Sequence, residues 1–281
     1  MRKKIAFIGV GNMASAILTG VTSRESEPIN WSDIILFDRQ TDKNEKFVSM
    51  GATAAQSIEE AVTLGDCILL CVKPQNFCEI LPVISTVKDV EKKLFITIAA
   101  GISSDTVTKA TNNAAVVRVM PNTPMLIGKG VSALSRNEYV CDCDFEFACN
   151  IFASAGSVIA ISEDEMNRII CVTGSSPAYV FMMIKAMYEG AVSQGLLQTE
   201  QNSGLTEKEL TDAICDTIIG AATLLKSSDK SSNELIAAVC SKGGTTERAV
   251  AELERYKFYE AFTSAMQKCT DRADELGSLN K

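Results

Sequence analysis

Lys3-Lys4-Ile5-Ala6-Phe7-Ile8-Gly9-Val10-Gly11-Asn12-Met13-Ala14-Ser15-Ala16-Ile17-Leu18 is the stretch from which the fold can be read. An apolar run from Ile5 to Ile8 ends in Gly-x-Gly-x-x-Ala, and apolar residues then recur at helical spacing. That is a strand, a tight turn and the start of a helix. Gly9 allows the turn, Gly11 lets a pyrophosphate approach the backbone, and Ala14 lets the helix pack close to the strand. Val10, Asn12 and Met13 complete the turn. Phosphates would sit at the helix N-terminus, facing free N–H groups and the positive end of the dipole. The position of the pattern, between a clear strand and a clear helix, predicts dinucleotide binding.

Working outward, strands and helices alternate. A second strand, Asp33 to Phe37, ends at Asp38-Arg39-Gln40. In a dinucleotide fold this is where the adenosine ribose is met. Asp38 would accept hydrogen bonds from a ribose 2′-OH and repel a 2′-phosphate, whereas Arg39 would bind that phosphate. The two argue in opposite directions, so the choice between NADH and NADPH stays open. A helix over 41–50, a short strand at 51–54 and a helix from Ile58 to Leu64 follow. Asp66 to Val72 is a continuous apolar strand, as a parallel strand covered on both faces should be. It ends in Lys73-Pro74-Gln75. Val72, Lys73 and Pro74 would then lie at the carboxyl edge of the sheet, where open α/β sheets bind ligands.

Lys93 to Ala99 is the next strand, and small residues at its end, Ala99 included, would let a nicotinamide ring lie against the backbone. Ser103-Ser104-Asp105 supplies N-cap candidates for a helix to Ala110. Ala115 to Met120 forms a further strand that runs into Pro121-Asn122-Thr123-Pro124, a rigid turn. Two more strands, Gly130 to Leu134 and Gly156 to Ile161, flank a helix near 141–154. This order predicts an α/β chain whose N-terminal half is a Rossmann-type, doubly wound, mostly parallel sheet.

After Ser162 the strand-like runs stop. Helices are expected at Glu163–Val172, Pro177–Gln194, Thr206–Leu225, Ser232–Cys240 and Thr246–Leu276. The division expected is a dinucleotide-binding domain of residues 1–162 and an all-α dimerisation and substrate domain of residues 163–281. Tyr179 to Ile184 is nearly continuous in apolar character, and Ala213 to Leu225 is apolar around much of its surface. Helices apolar on more than one face are buried. The C-terminal helices are therefore expected to build a homodimer, which leaves room for assembly of dimers into something larger.

Bulk properties narrow the function. The 281 residues are 46% hydrophobic and 22% charged, with a formal net charge of −8. An acidic chain has no general attraction for nucleic acid or an anionic membrane surface. No unbroken apolar run reaches the roughly 18 residues of a membrane span. The basic N-terminus, Met1-Arg2-Lys3-Lys4, leads into an apolar stretch that stops at once in glycines, unlike a signal peptide. There are ten cysteines and no histidine. Cys141-x-Cys143 is the closest pair and no C-x-x-C occurs, so a metal site is not expected. The reading is of reduced thiols in a cytoplasmic protein. Without histidine, any proton transfer must use another group, or the substrate must carry its own proton.

Two glycine- and hydroxyl-rich breaks interrupt the helical half. Thr173-Gly174-Ser175-Ser176-Pro177 opens one helix, with Ser176 suited to its N-cap. Ser241-Lys242-Gly243-Gly244-Thr245-Thr246 opens another. Adjacent glycines and threonines there offer backbone N–H groups and hydroxyls to an anion, of which a small carboxylate is the natural guest. The alternative is a capping box with Thr245 or Thr246 as N-cap, which does not explain the two glycines.

These residues resemble those of the pyrroline-5-carboxylate reductase family. The resemblance runs along nearly all of the chain, through Phe7 to Ala14, Val72-Lys73-Pro74, Met120 to Pro124, Gly174 to Phe181, and Gly243 to Thr246. It implies transfer of hydride from NADPH or NADH to a cyclic imine, 1-pyrroline-5-carboxylate, giving L-proline. It also implies that Gly243, Gly244, Thr245 and Thr246 hold the substrate carboxylate, with Thr246 bonded to the ring nitrogen or the carboxylate. Glu163 and Ser175 are implied to lie near the substrate. Lys242 departs from the proline usual in the family. Two other readings compete. A β-hydroxyacid dehydrogenase would use a lysine such as Lys185 with an asparagine one turn on, where this chain has Glu189. A nicotinamide-sensing regulator would have no use for the Gly243–Thr246 loop.

Overall fold

One eight-stranded sheet occupies the N-terminal part of the chain. The computed structural model describes residues 3–24, 28–199 and 202–279, so Met1 and Arg2 of the basic N-terminus lie outside it. In chain order the first elements are β1 (Ile5–Ile8), α1 (Asn12–Thr22), β2 (Ile34–Phe37), α2 (Asp42–Val48), β3 (Thr53–Ala54), α3 (Ile58–Leu64) and β4 (Cys67–Leu70). They continue with α4 (Phe77–Ile84), β5 (Leu94–Thr97), α5 (Ser104–Ala110), β6 (Ala115–Met120), β7 (Gly130–Arg136), α6 (Asp142–Ala153) and β8 (Gly156–Ala160). The strand order is β3-β2-β1-β4-β5-β6-β7-β8. All pairs are parallel except β6 with β7. The order reverses at β1, so the crevice between the carboxyl ends of β1 and β4 is the topological switch point.

Alternation along the strands assigns each side chain to a layer. Ile5 and Phe7 join Ile17, Leu18, Ile151 and Phe152 beneath α1 and α6. Ala6 and Ile8 face the other way, into a layer with Val62, Ile80, Ile84 and Val107 from α3, α4 and α5. Strands buried on both faces have no polar side to show, and β1 and β4 are buried at every residue. The caps are local: Ser57 Oγ accepts the N–H of Glu60 and Ser103 Oγ that of Thr106, both at 3.1 Å.

The chain divides into two compact units, one running to Pro177 and resuming at Gln267, the other Ala178–Met266. The remaining helices are α7 (Ser176–Ser193), α8 (Glu207–Ser227), α9 (Ser232–Val239), α10 (Thr245–Arg255) and α11 (Phe258–Leu279). Capping boxes open two of them, Thr206 with Glu209 for α8 and Ser231 with Glu234 for α9.

Three expectations need correction. The expected helix from Glu163 to Val172 is two short 3-10 turns, Glu163–Glu165 and Ile169–Cys171. Ser162 and Glu165 do form a capping box, but Met166, Ile169 and Ile170 turn into a small apolar cluster with Met120 and Ala133. The expected helix from Thr246 to Leu276 is broken at Tyr256-Lys257, where Lys257 is left-handed with φ 57°. An aromatic cluster stands beside the break: Phe258 lies 4.8 Å and Tyr179 6.1 Å, ring to ring, from Phe262. Neither glycine nor proline marks it, so the pattern gave no warning. Finally, the segment Ile169–Ser193 is long and apolar enough to cross a membrane, with mean hydropathy 1.4 over 18 residues. It contains no unbroken apolar run of that length, because Thr173 to Pro177, Lys185 and Glu189 interrupt it.

Candidate active site

The first part of the site is the glycine turn after β1. Gly9 has φ +94°, and a Cβ there would stand 3.0 Å from the backbone of Cys71. Its N–H bonds Phe37 O at 2.8 Å. The residue is glycine because the backbone is left-handed and two strand ends press upon it. Gly11 differs: a Cβ there would meet nothing within 4 Å. It is the N-cap of α1 and makes no side-chain cap. No side chain caps the first N–H groups of α1 and the space beside Gly11 is open, as binding of an anionic pyrophosphate there requires.

An open cleft of about 510 Å³ lies beside this turn, lined by Gly9, Gly11, Asp38, Arg39, Val72 and Lys73, all read from the sequence as cofactor residues. Gln40, Lys43, Ile58, Cys71, Gln75 and Asn76 also line it. Pattern reading passed over these, although several directly follow the ends of β2 and β4. Val10, Asn12, Met13, Ala14 and Pro74 belong to the same two turns without lining the cleft. Ala99 is buried in the layer of Phe95 and Ile102.

Asp38 does a job that spacing does not reveal. Its Oδ2 accepts the Val10 N–H at 2.7 Å and its Oδ1 the Gln40 N–H at 2.9 Å. Lys43 Nζ stands 3.9 Å away. The carboxylate ties the end of β2 to the glycine turn, so it shapes the cleft as well as charging it. Arg39 forms an ion pair with Glu79 in which both partners are largely exposed. Such a pair is weak, and the guanidinium can turn to another anion at little cost.

Within the same unit, Asn122 joins two motifs far apart in sequence. Its Nδ2 donates to Thr173 O at 2.9 Å, and its Oδ1 accepts the Val131 N–H at 2.8 Å. The proline-rich turn after β6 is thereby fastened to the Gly174-Ser175 break. Ser175 Oγ lies 3.1 Å from Cys269 Sγ on α11. Ser176 is not an N-cap but the first residue of α7, its hydroxyl donating to Cys171 O at 3.0 Å.

Glu163 is a carboxylate held by three groups at once. Its Oε1 accepts from Arg118 Nη1 at 2.9 Å and Ser104 N at 3.1 Å, and its Oε2 from Ser135 Oγ at 2.6 Å. Burial alone would raise its pKa. The Ser135 hydroxyl, the Arg118 charge and hydrogen bond, and the Ser104 N–H together outweigh that and hold it below the ordinary carboxylate value. Arg118 is buried and passes its Nη2 to Asn167 Oδ1, while Asn167 Nδ2 reaches Asp274 Oδ1, both at 2.9 Å. Its Nε is buried without a partner among the described residues.

The Gly243–Thr246 loop belongs to the second unit. Gly243 has φ +74°, and a Cβ on Gly244 would fall 2.4 Å from Ser241 Oγ. Two glycines stand together for two reasons, a left-handed backbone and a close approach. The Gly243 N–H donates to Glu247 Oε2 at 2.7 Å and the Gly244 N–H to Ser241 O at 2.9 Å. The N-cap of α10 is Gly244, not Thr245 or Thr246, and no side chain caps it. This leaves Thr245 and Thr246 at the open first turn of α10. On α7, Lys185 is in reach of Glu189 at 3.7 Å, an ordinary i,i+4 pair rather than a catalytic lysine beside an asparagine.

Comparison with known proteins agrees with these features. Residues 163–276 match the family model described as pyrroline-5-carboxylate reductase dimerisation. Residues 4–101 match one described as NADP oxidoreductase, coenzyme F420-dependent. Pyrroline-5-carboxylate reductase of Corynebacterium melassecola is 34% identical, covering 97% of this chain and 98% of that protein. The enzyme of Escherichia coli K12 is 33% identical, covering 98% and 99%. Among solved structures, the Coxiella burnetii reductase superposes with TM-score 0.86 at 30% identity over 98% of both chains. The Plasmodium falciparum reductase, solved with NADP bound, does so with TM-score 0.84 at 25% identity over 98% of both. A glycine turn opening onto a dinucleotide-sized cleft, a glycine–threonine helix start and this end-to-end likeness lead to one conclusion: the chain belongs to the pyrroline-5-carboxylate reductase family.

Proposed function

We infer that this protein reduces the C=N bond of 1-pyrroline-5-carboxylate to L-proline, with NADPH or NADH as the reductant. The observation that carries the reading is that one chain holds both the Gly9–Gly11 turn with its cleft and a helix start at Thr245-Thr246 whose hydroxyls and N–H groups suit a carboxylate. When bound, the nicotinamide supplies a hydride. The chain's own residues orient and neutralise. The open N-terminus of α1 takes the pyrophosphate, Asp38 holds the turn in shape, and Arg39 and Lys43 supply cations at the adenosine end. Lys73 and Val72 border the cleft from the end of β4.

On the substrate side, Gly243 and Gly244 spend their N–H groups inside the loop, so their part is to shape it. Thr245 and Thr246 are the donors, and Thr246 aligns the ring nitrogen or the carboxylate. Within the first unit, Glu163 fixes Arg118 and Ser175 bonds Cys269. An imine nitrogen is basic enough to arrive protonated or to take its proton from water, so the absence of histidine is no obstacle. Alignment of two reactants is worth about 7–11 kcal/mol in ideal cases, and alignment is what these residues provide.

Residues 1–162 serve the cofactor and residues 163–281 the substrate and a second copy. The apolar faces of α7 and α8 form a homodimer, which also explains why the Ile169–Ser193 segment is so apolar without spanning a membrane. Ten free cysteines fit the reducing cytoplasm. Purified protein should consume NADPH or NADH, read as a fall in absorbance near 340 nm, only when 1-pyrroline-5-carboxylate is added. Turnover of a β-hydroxyacid instead, or of neither substrate, would overturn the assignment.

A further inference from the structure

One cluster of reactive side chains has no part in the reduction. Cys141 is the N-cap of α6 and Cys143 lies in its first turn. Both are exposed. Their sulfurs stand 2.7 Å apart, between a covalent bond, about 2.05 Å, and ordinary packing. Cys141 Sγ also accepts the Asp144 N–H at 3.4 Å, one of the N–H groups that a helix start leaves without an internal acceptor. Asp144 is held by an ion pair with Lys3, just before β1. Either sulfur can donate in this contact, which raises the pKa of the Cys143 thiol; Cys141, which also receives a helix-start N–H, is assigned the first attack.

Asp144 Oδ lies within 4.8 Å of both sulfurs, and the three could ligate a cation. Lys3 already neutralises that carboxylate, however, which leaves the two sulfurs as the groups free to react. We propose that Cys141 and Cys143 are a redox-active dithiol that closes into an intramolecular disulfide by exchange with a small-molecule disulfide such as oxidised glutathione. Cys141, as thiolate, attacks one sulfur of the small disulfide and displaces one thiolate. Cys143, on losing its proton, attacks the Cys141 sulfur and displaces the second. Two electrons pass from the protein dithiol to the small disulfide, which leaves as two thiols carrying the two protons. The stretch joined is a single turn at the exposed start of α6, so closure need not disturb the buried part of that helix.

The test is to treat the intact folded protein with oxidised glutathione, quench in acid, alkylate the remaining thiols and map the products by mass spectrometry. Expected is a peptide containing Cys141 and Cys143 that lacks two hydrogens and takes no alkylating agent. Cys143→Ser should trap one glutathione on Cys141. Cys78, exposed and donating to Gln75 O, should keep any glutathione it acquires. Alkylation of both Cys141 and Cys143, a stable glutathione on each, or a bridge between two chains would overturn the proposal.

Discussion

The sheet unit hides most of its apolar side chains within one chain, Ile127 and Leu126 being exceptions, and the helices of residues 178–266 leave most of theirs exposed. In the sheet, Ile5, Phe7, Leu69 and Phe95 have no accessible surface. Among the described residues of the helical unit, Leu210 and Ile214 are the only large apolar side chains buried, while Phe181 is 64% and Ile219 62% exposed. Removing a side chain of that size from water is worth about 1.5–3 kcal/mol, so a unit that leaves so many exposed lacks most of the stabilisation the sheet obtains alone. The difference supports the homodimer proposed above: the sheet unit gains most of its packing within one chain, and the helical unit would gain its own from a second copy.

The comparison breaks most visibly at the helical face. Ile219→Asp places a carboxylate on that face in both copies. Dimers should disappear by light scattering, and turnover should fall about a hundredfold or more, the scale of losing a central interface contact twice. A dimeric, fully active variant would mean that the exposed face has another use. Next in size is Thr246→Ala, which should lower kcat roughly ten- to a hundredfold, as loss of one oriented donor does. The KM for the cofactor should stay unchanged, since the sheet unit is untouched. A shifted cofactor KM with normal kcat would move Thr246 out of the substrate role.

The smallest effect belongs to the sheet unit. Glu163 has a lowered pKa, so its stabilising contribution is present above its ordinary value near 4.5 and is lost as pH falls through the lower folded value. Glu163→Gln leaves the buried Arg118 without its counter-charge. Allowing for the 31% exposure of the Glu163 side chain, the cost should be about 1–2 kcal/mol at neutral pH, below the full value for a buried pair. The deficit relative to the parent should shrink in acid, as followed by urea unfolding at several pH values. A pH-independent deficit would show that shape rather than charge is lost.

Most of the sheet was legible in the sequence because its signals are local. Ile5 to Ile8 and Asp66 to Val72 read as strands from their apolar runs, Ala115 to Met120 reads as a strand although Arg118 interrupts it, and the Ser103-Ser104-Asp105 stretch reads as a source of the cap, which is Ser103. The site was legible in its glycines and less so in its donors. Asp38 was read as a ribose acceptor, but whether it would also bind the Val10 N–H depends on how closely β2 lies beside β1. Gly243 and Gly244 were read as donors, although their N–H groups are taken by Glu247 and Ser241. The break at Lys257 has no local mark.

Residue order alone settled the succession of strands and helices and the presence of a dinucleotide turn, because period, turn chemistry and backbone permission act over a few neighbours. Three-dimensional packing decided the partners. Arg118 meets Glu163, Asn122 meets Thr173, and Cys141 meets Cys143 across a helix cap. A hydrogen bond or ion pair depends on distances of a few ångströms between groups, and mostly it is the folded backbone that brings those groups within reach.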